Sequence, residues 1–261
     1  MTDEFHNKVI VVTGASAGIG KKLSLSLLQK GARVVVCSRH SGKLEELESA
    51  WNKGTGELLS VTCDVSQSKE VQGMMDSVMA HFGKIHGFVN NAGLYPCTPF
   101  LELAEEEWDQ VLDTNLKGAF LCSQAVAKTM ISEGIKGSIV NVSSTSSLIA
   151  RPGVTHYASS KAGLNMLTKS LALELAPYGI RVNAVLPGVI LTERVQSQLN
   201  DPTAKAEFQT KLARIPLKQV GQPADITHAV LHFLSEASGY STGSLLVVDG
   251  GYSLGIPAYD I

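Results

Sequence analysis

The chain has 261 residues, 44% of them hydrophobic and 18% charged, with a formal net charge of −2. That length suits one hydrophobic core, so one domain is expected over two. A charge content below the about 25% of average soluble domains points to much buried surface, a subunit interface included, and excludes intrinsic disorder.

Lys8 to Thr13 (KVIVVT) reads as a buried strand, and Gly14 ends it. A helix is expected over Ile19 to Gln29, stopped by Gly31. Arg33 to Cys37 (RVVVC) is a second strand, Gly42 to Trp51 a helix, and Leu58 to Cys63 a third strand. Val71 to Phe82 reads as a helix, and Gly87 to Asn90 opens a fourth strand. One long helical stretch is expected from Glu105 to Ser132, then a fifth strand, Ser138 to Val142. A second long helix runs from His156 to Ala176, before a sixth strand, Ile180 to Leu186. Pro223 starts a helix reaching Leu234, and Ser244 to Val248 is the seventh strand. Apolar strands alternating with amphipathic helices predict an α/β fold, a doubly wound parallel sheet covered on both faces. Residues 189–215 fit this pattern least. They are polar, follow a strand end, and read as a lid over the site within the single domain 1–261.

With 22 Lys+Arg against 24 Asp+Glu and no basic cluster, nothing argues for nucleic acid. Apolar runs such as Val9 to Val12 are too short to cross a bilayer, so no membrane partner is expected. The polar, acidic N-terminal residues do not read as a secretory signal. Cys37, Cys63, Cys97 and Cys122 are scattered without a CxxC pair, as reduced thiols of a cytoplasmic protein would be. His228 and His232 are spaced like a helical metal pair, but residue 229 is Ala and no third ligand is evident, so no metal is expected. The acidic run Glu105 to Glu107 suits a helix start. His156 fits either a substrate contact or a plain loop role.

Between the first strand and first helix stands TGASAGIG, Thr13 to Gly20. Glycines there allow a tight turn and close approach of a pyrophosphate, whose charge the helix N-terminus favours. Gly14, Ser16, Gly18, Ile19 and Gly20 are the candidate contacts. The same residues also read as the GxSxG elbow of serine hydrolases, but only 13 residues precede Gly14, too few for the upstream strand and loop of an oxyanion hole. After the second strand come Ser38 and Arg39, with no carboxylate until Glu45. A carboxylate there would hold the ribose of NAD, whereas Arg39, helped by the Ser38 hydroxyl, suits the 2′-phosphate of NADP. NADP(H) is therefore expected over NAD(H).

Tyr157 and Lys161 are four apart, on one helix face. A nearby ammonium would lower the tyrosine pKa from about 10 and make it a usable acid or base. Ser144, thirteen residues earlier at a strand end, can hold a substrate carbonyl oxygen. Thr145, Ser146, Leu148, Tyr95, Val189 and the 192–214 segment are candidate pocket residues.

With TGASAGIG, Asn90 to Gly93 (NNAG), Asn115, Ser144, YASSK and the Pro187–Gly188 pair, nearly the whole chain resembles the short-chain dehydrogenase/reductase family. The resemblance implies a Rossmann-type domain with seven parallel strands ordered 3-2-1-4-5-6-7, and catalysis by Ser144, Tyr157 and Lys161. Asn115 would hold a water in a proton relay to Lys161, which would also bind the cofactor ribose. Asp64 and Val65 would border the adenine, and Asn91, Ala92 and Gly93 the adenosine ribose and nearby chain. Pro187, Gly188, Ile190 and Thr192 would face the nicotinamide, the last two at its carboxamide. Relatives that prefer NADP often carry a basic residue where this chain has Ala17, so the cofactor choice rests on Arg39. The implied activity is NADP(H)-dependent carbonyl reduction or alcohol oxidation, with 3-oxoacyl thioesters and small ketones or sugars as substrate classes. The alternatives are an NAD-dependent sugar or polyol dehydrogenase and a Rossmann-fold binding protein without catalysis. A homotetramer is the implied assembly, with the tail from Tyr252 to Ile261 near a neighbour.

Overall fold

In the computed structural model, which describes residues 4–51 and 54–255, the strands are β1 (Val9–Thr13), β2 (Arg33–Ser38), β3 (Glu57–Thr62), β4 (Gly87–Asn90), β5 (Ser138–Val142), β6 (Arg181–Pro187) and β7 (Leu245–Val248). The helices are α1 (Gly18–Gln29), α2 (Ser41–Ala50), α3 (Ser68–Phe82), α4 (Glu105–Leu112), α5 (Gly118–Ser132), α6 (Thr155–Leu175), α7 (Glu193–Gln198), α8 (Pro202–Ala213) and α9 (Pro223–Leu234). The strands form one parallel sheet, ordered β3-β2-β1-β4-β5-β6-β7. This is the expected single-domain Rossmann-type fold.

The strand side chains alternate between two apolar layers. Ile10 and Val12 of β1 pack with leucines of α1 and α2 and with Ile226, Val230 and Phe233 of α9. Val9 and Val11 point the other way, toward Met74 and Val78 of α3 and Val126 and Met130 of α5. All five residues of β1 are buried, which explains its unbroken apolar sequence. Full burial of one such side chain contributes about 1.5–3 kcal/mol.

Two stretches differ from the sequence reading. The helix expected from Glu105 to Ser132 is divided by a π-helical turn at Asp113–Lys117. Such a turn adds a residue to the helical register and swings a side chain out of its row. Here Asn115 is turned inward and is 1% exposed. The 189–215 segment holds two short helices, α7 and α8, each capped by a side chain, Thr192 and Asp201. Helical periodicity is weak there because neither helix has a fully buried face. Residues 256–261 of the tail lie outside the described residues.

At the opposite edge from the strand carboxyl ends, Nδ1 of His86 accepts the Val9 N–H at 2.9 Å. Burial, with Lys8, Lys84 and Arg33 nearby, pushes the imidazole down to about 4 from 6.5. Between those values the unfolded chain binds a proton that the folded chain refuses, so stability is present above pH 6.5 and falls as the pH drops toward 4. His86→Gln, which keeps an acceptor but cannot titrate, should flatten this part of the melting temperature profile. An unchanged slope between pH 6.5 and 4 would show that His86 does not control it.

Candidate active site

The strand order reverses between β1 and β4, which opens a crevice at their carboxyl ends. Thr13, the last residue of β1, closes its floor. Its hydroxyl accepts the N–H groups of Asn91 and Ala92, both at 3.1 Å. The Asn91 amide donates to the carbonyls of Thr13 and Gly14, both at 3.0 Å, so this side chain supports the turn. Gly14 has φ +63°, and a Cβ there would come within 2.7 Å of the Ala92 Cα. Only glycine fits. At Gly20 a Cβ would meet the Asn91 amide and the Gly14 carbonyl, both at 2.5 Å, so this glycine packs the helix onto the turn.

The N-cap of helix α1 is Ala17, which offers no capping side chain, and the first turn holds no acid. The N–H groups of that turn and its positive dipole end suit a phosphate group. The Ser38 hydroxyl donates to that of Ser16 at 3.1 Å, joining the ends of β1 and β2. Ile19 packs partly into the core. Arg39 is exposed, and no hydrogen bond or ion pair engages it among the described residues. The Asp64 carboxylate accepts from the N–H and hydroxyl of Ser66. Val65 is buried against Gly118. This arrangement fits a dinucleotide lying from the end of β3 to the end of β6.

On the other side of the crevice, Ser144 follows β5 and Tyr157 lies in the first turn of α6. The Ser144 hydroxyl accepts the Ser146 N–H at 3.1 Å and lies beside the Tyr157 phenol. Burial raises the phenol pKa; the Ser144 hydroxyl and the Arg151 charge pull it back. Lys161, one turn later, is 4% exposed and donates to the Val142 carbonyl at 2.8 Å. Its ammonium is 5.8 Å from the Tyr157 ring centroid. Burial pushes it down to about 8. The sequence reading made this ammonium the group that lowers the phenol pKa. Here Ser144 and Arg151 carry that effect, and desolvation outweighs both.

Asn115 binds the Leu94 backbone at both ends, with Oδ1 accepting at 2.7 Å and Nδ2 donating at 3.0 Å. It also donates to the Ser160 hydroxyl at 3.1 Å. Gly93 is next to both groups: a Cβ there would lie 3.3 Å from Asn115 Oδ1 and 3.7 Å from Lys161 Nζ. On β6, the Pro187 carbonyl accepts the Thr145 hydroxyl at 3.3 Å, and Thr145 is buried. Gly188 is pressed against Asp249, and Ile190 is buried beside Gly221. Thr192 caps α7 and lies against Gly18.

Some contributors carried no sequence signal. Arg151 lies 5.5 Å from the Tyr95 ring, which meets Tyr157 edge-on at 4.5 Å. His156 is fully buried, and its Nε2 is 2.9 Å from Glu107, which also accepts the Thr98 hydroxyl at 2.7 Å. It is thus a tie between α4 and α6 and not a substrate contact. Nothing local in the sequence pairs residues 107 and 156.

Ser144→Ala removes a donor that favours the phenolate. The Tyr157 titration, read as the ultraviolet difference from Tyr157→Phe, should move to higher pH. No movement would mean that Ser144 does not stabilise that charge.

The family described as enoyl-(acyl carrier protein) reductase matches residues 14–253. Glucose 1-dehydrogenase 2 of Bacillus subtilis is 39% identical over 259 residues, covering 97% of this chain and 98% of that protein. L-rhamnose-1-dehydrogenase of Scheffersomyces stipitis is 37% identical over 255 residues, covering 96% and 98%. The crystal structure of a short-chain type dehydrogenase/reductase from Mycobacterium marinum superposes with a TM-score of 0.88 at 40% identity, covering 96% of this chain and 97% of that one. With matches over nearly its whole length, and the same sheet, the chain belongs to the short-chain dehydrogenase/reductase family of oxidoreductases.

Proposed function

We propose that this chain is an NADP(H)-dependent oxidoreductase acting on a ketone or the corresponding secondary alcohol. One observation carries the reading. The Ser144 hydroxyl beside the Tyr157 phenol, with Lys161 buried one turn away, faces the same crevice as the glycine turn and the start of α1. A bound nicotinamide would supply or accept the hydride at its C4. Ser144 donates to the carbonyl oxygen, and Tyr157 transfers a proton to that oxygen during reduction or takes it back during oxidation. With a pKa of about 8, Lys161 is mostly charged at neutral pH, and its ammonium, one turn from Tyr157, would hold the cofactor ribose. Asn115 holds the Leu94 backbone and Ser160 beside this group. Gly14, Ser16, Gly18, Ile19 and Gly20 cradle the pyrophosphate. Asp64, Val65, Asn91, Ala92 and Gly93 border the adenosine, and Pro187, Gly188, Ile190 and Thr192 the nicotinamide.

Carbonyl reduction, including that of 3-oxoacyl thioesters, is the leading chemistry. Sugar or polyol oxidation is the second reading, favoured by the names of the glucose and rhamnose dehydrogenases among its relatives. The presence of all four polar residues at one crevice argues against a binding protein without catalysis. We assign the 189–215 segment as the lid and the cytoplasm as the working location, which suits the four free cysteines. The described residues contain no helix long and apolar enough to cross a membrane.

A homotetramer is the proposed assembly. Exposed apolar side chains gather on and beside the long helices, at Phe100, Leu101, Phe120, Met166 and Leu173. A second group, Tyr240, Leu246 and Leu254, lies around β7. Covering both patches needs two different interfaces. Light scattering at micromolar concentration should return four times the chain mass, and a monomer mass would reject the assembly.

Kinetics on ketone, alcohol, sugar and acyl-thioester panels with both cofactors tests the reaction. Tyr157→Phe should fall below a tenth of wild-type turnover while still binding cofactor; greater retained turnover would refute its acid–base role. Wild type should favour NADPH by about 10-fold or more in kcat/KM, as one charge-assisted bond from Arg39 provides. Arg39→Ala should erase most of that ratio. If the ratio survives, Arg39 does not read the 2′-phosphate.

A further inference from the structure

The start of α1 is already engaged by a carboxylate from the chain itself. The Gly18 N–H, the first of the helix, donates to Oε2 of Glu193 at 3.0 Å across 175 residues of sequence. Thr192 lies against the same turn: a Cβ on Gly18 would come 3.1 Å from its methyl group. The next residue, Arg194, donates to the Tyr95 carbonyl at 3.1 Å on the other wall of the crevice. Three consecutive residues at the start of α7 thus bridge the site.

A carboxylate and a phosphate make the same demand on a helix start. Each presents an anionic oxygen to a backbone N–H, and each is favoured by the positive end of the dipole. Two anionic oxygens cannot share the Gly18 N–H at this distance without repulsion. We infer that Glu193 competes with the cofactor pyrophosphate for the Gly18 N–H and must be displaced before a dinucleotide binds. Glu193 therefore lowers cofactor affinity and couples cofactor arrival to movement of α7. This rests on the dinucleotide reading of the glycine turn.

Gly18 is half-buried and Glu193 exposed, and screening limits the effect to a few-fold. The test is calorimetric titration of the full chain, as wild type, Glu193→Gln and Glu193→Ala, with NADPH, NADH and adenosine 2′-monophosphate. Glu193→Gln keeps an acceptor but loses the charge. It should bind the preferred dinucleotide about 2- to 5-fold more tightly than wild type, as for an exposed charged contact. Adenosine 2′-monophosphate has no pyrophosphate, and its affinity should not change. Tightening in Glu193→Gln alone also supports competition, because Glu193→Ala additionally removes the only acid in the first turn of α7. Unchanged or weaker dinucleotide binding in both variants overturns the inference, as does equal tightening of the adenosine monophosphate. If wild type and variants bind neither dinucleotide, the reading of the turn itself fails, and the competition falls with it.

Discussion

The Thr13 hydroxyl accepts the N–H groups of Asn91 and Ala92 at the point where the strand order reverses. With the Asn91 amide bonded to the Thr13 and Gly14 carbonyls, these bonds tie the ends of β1 and β4 together past the strand ladder, which stops at Thr13. The close approach of Gly14 to Ala92 depends on that anchoring, and so does the direction in which α1 leaves the turn. The crevice is a consequence of main-chain geometry first and of side chains second. A parallel sheet brings every strand carboxyl end to one edge, and a reversal of order leaves a gap there.

Beneath the gap lies a buried polar chain. Asn90 donates to Ser123 and to Asn141, and Asn141 donates to Thr168 on α6. Every member is hydrogen-bonded, so the network ties β4, β5, α5 and α6 together without an orphaned group among these contacts. It fixes the helix carrying Tyr157 and Lys161 against the strand that ends near Ser144. The π-helical turn works from the opposite side: Asn115 reaches both the Leu94 backbone and Ser160 only because the helix register is interrupted there.

The charges of the site follow from burial. Both Tyr157 and Lys161 are shifted toward their neutral forms, because desolvation opposes charge of either sign. The opposing influences, which favour the phenolate, come from outside the Tyr–Lys pair, from Ser144 and Arg151 in the stretch before α6.

Much of this was legible in the sequence, for local reasons. Strands buried on both faces are mostly apolar, so β1 and β2 were plain as runs, and the glycine spacing marked the turn before α1. Ser144, Tyr157 and Lys161 were legible because a strand end and one helical turn fix their relative positions over seventeen residues. Other features depend on contacts between distant residues. The break at Asn115 requires Leu94 and Ser160 to be in place, which no helical periodicity records. The Glu107–His156 tie, the Arg151–Tyr95–Tyr157 stack and the reach of Glu193 to Gly18 join residues far apart in sequence or on different elements. Composition and spacing marked the strands, the helices and the candidate trio Ser144, Tyr157 and Lys161; only tertiary packing decided which charges surround that trio, because a side chain's electrostatic neighbours are set by the folding of distant segments onto one edge of the sheet.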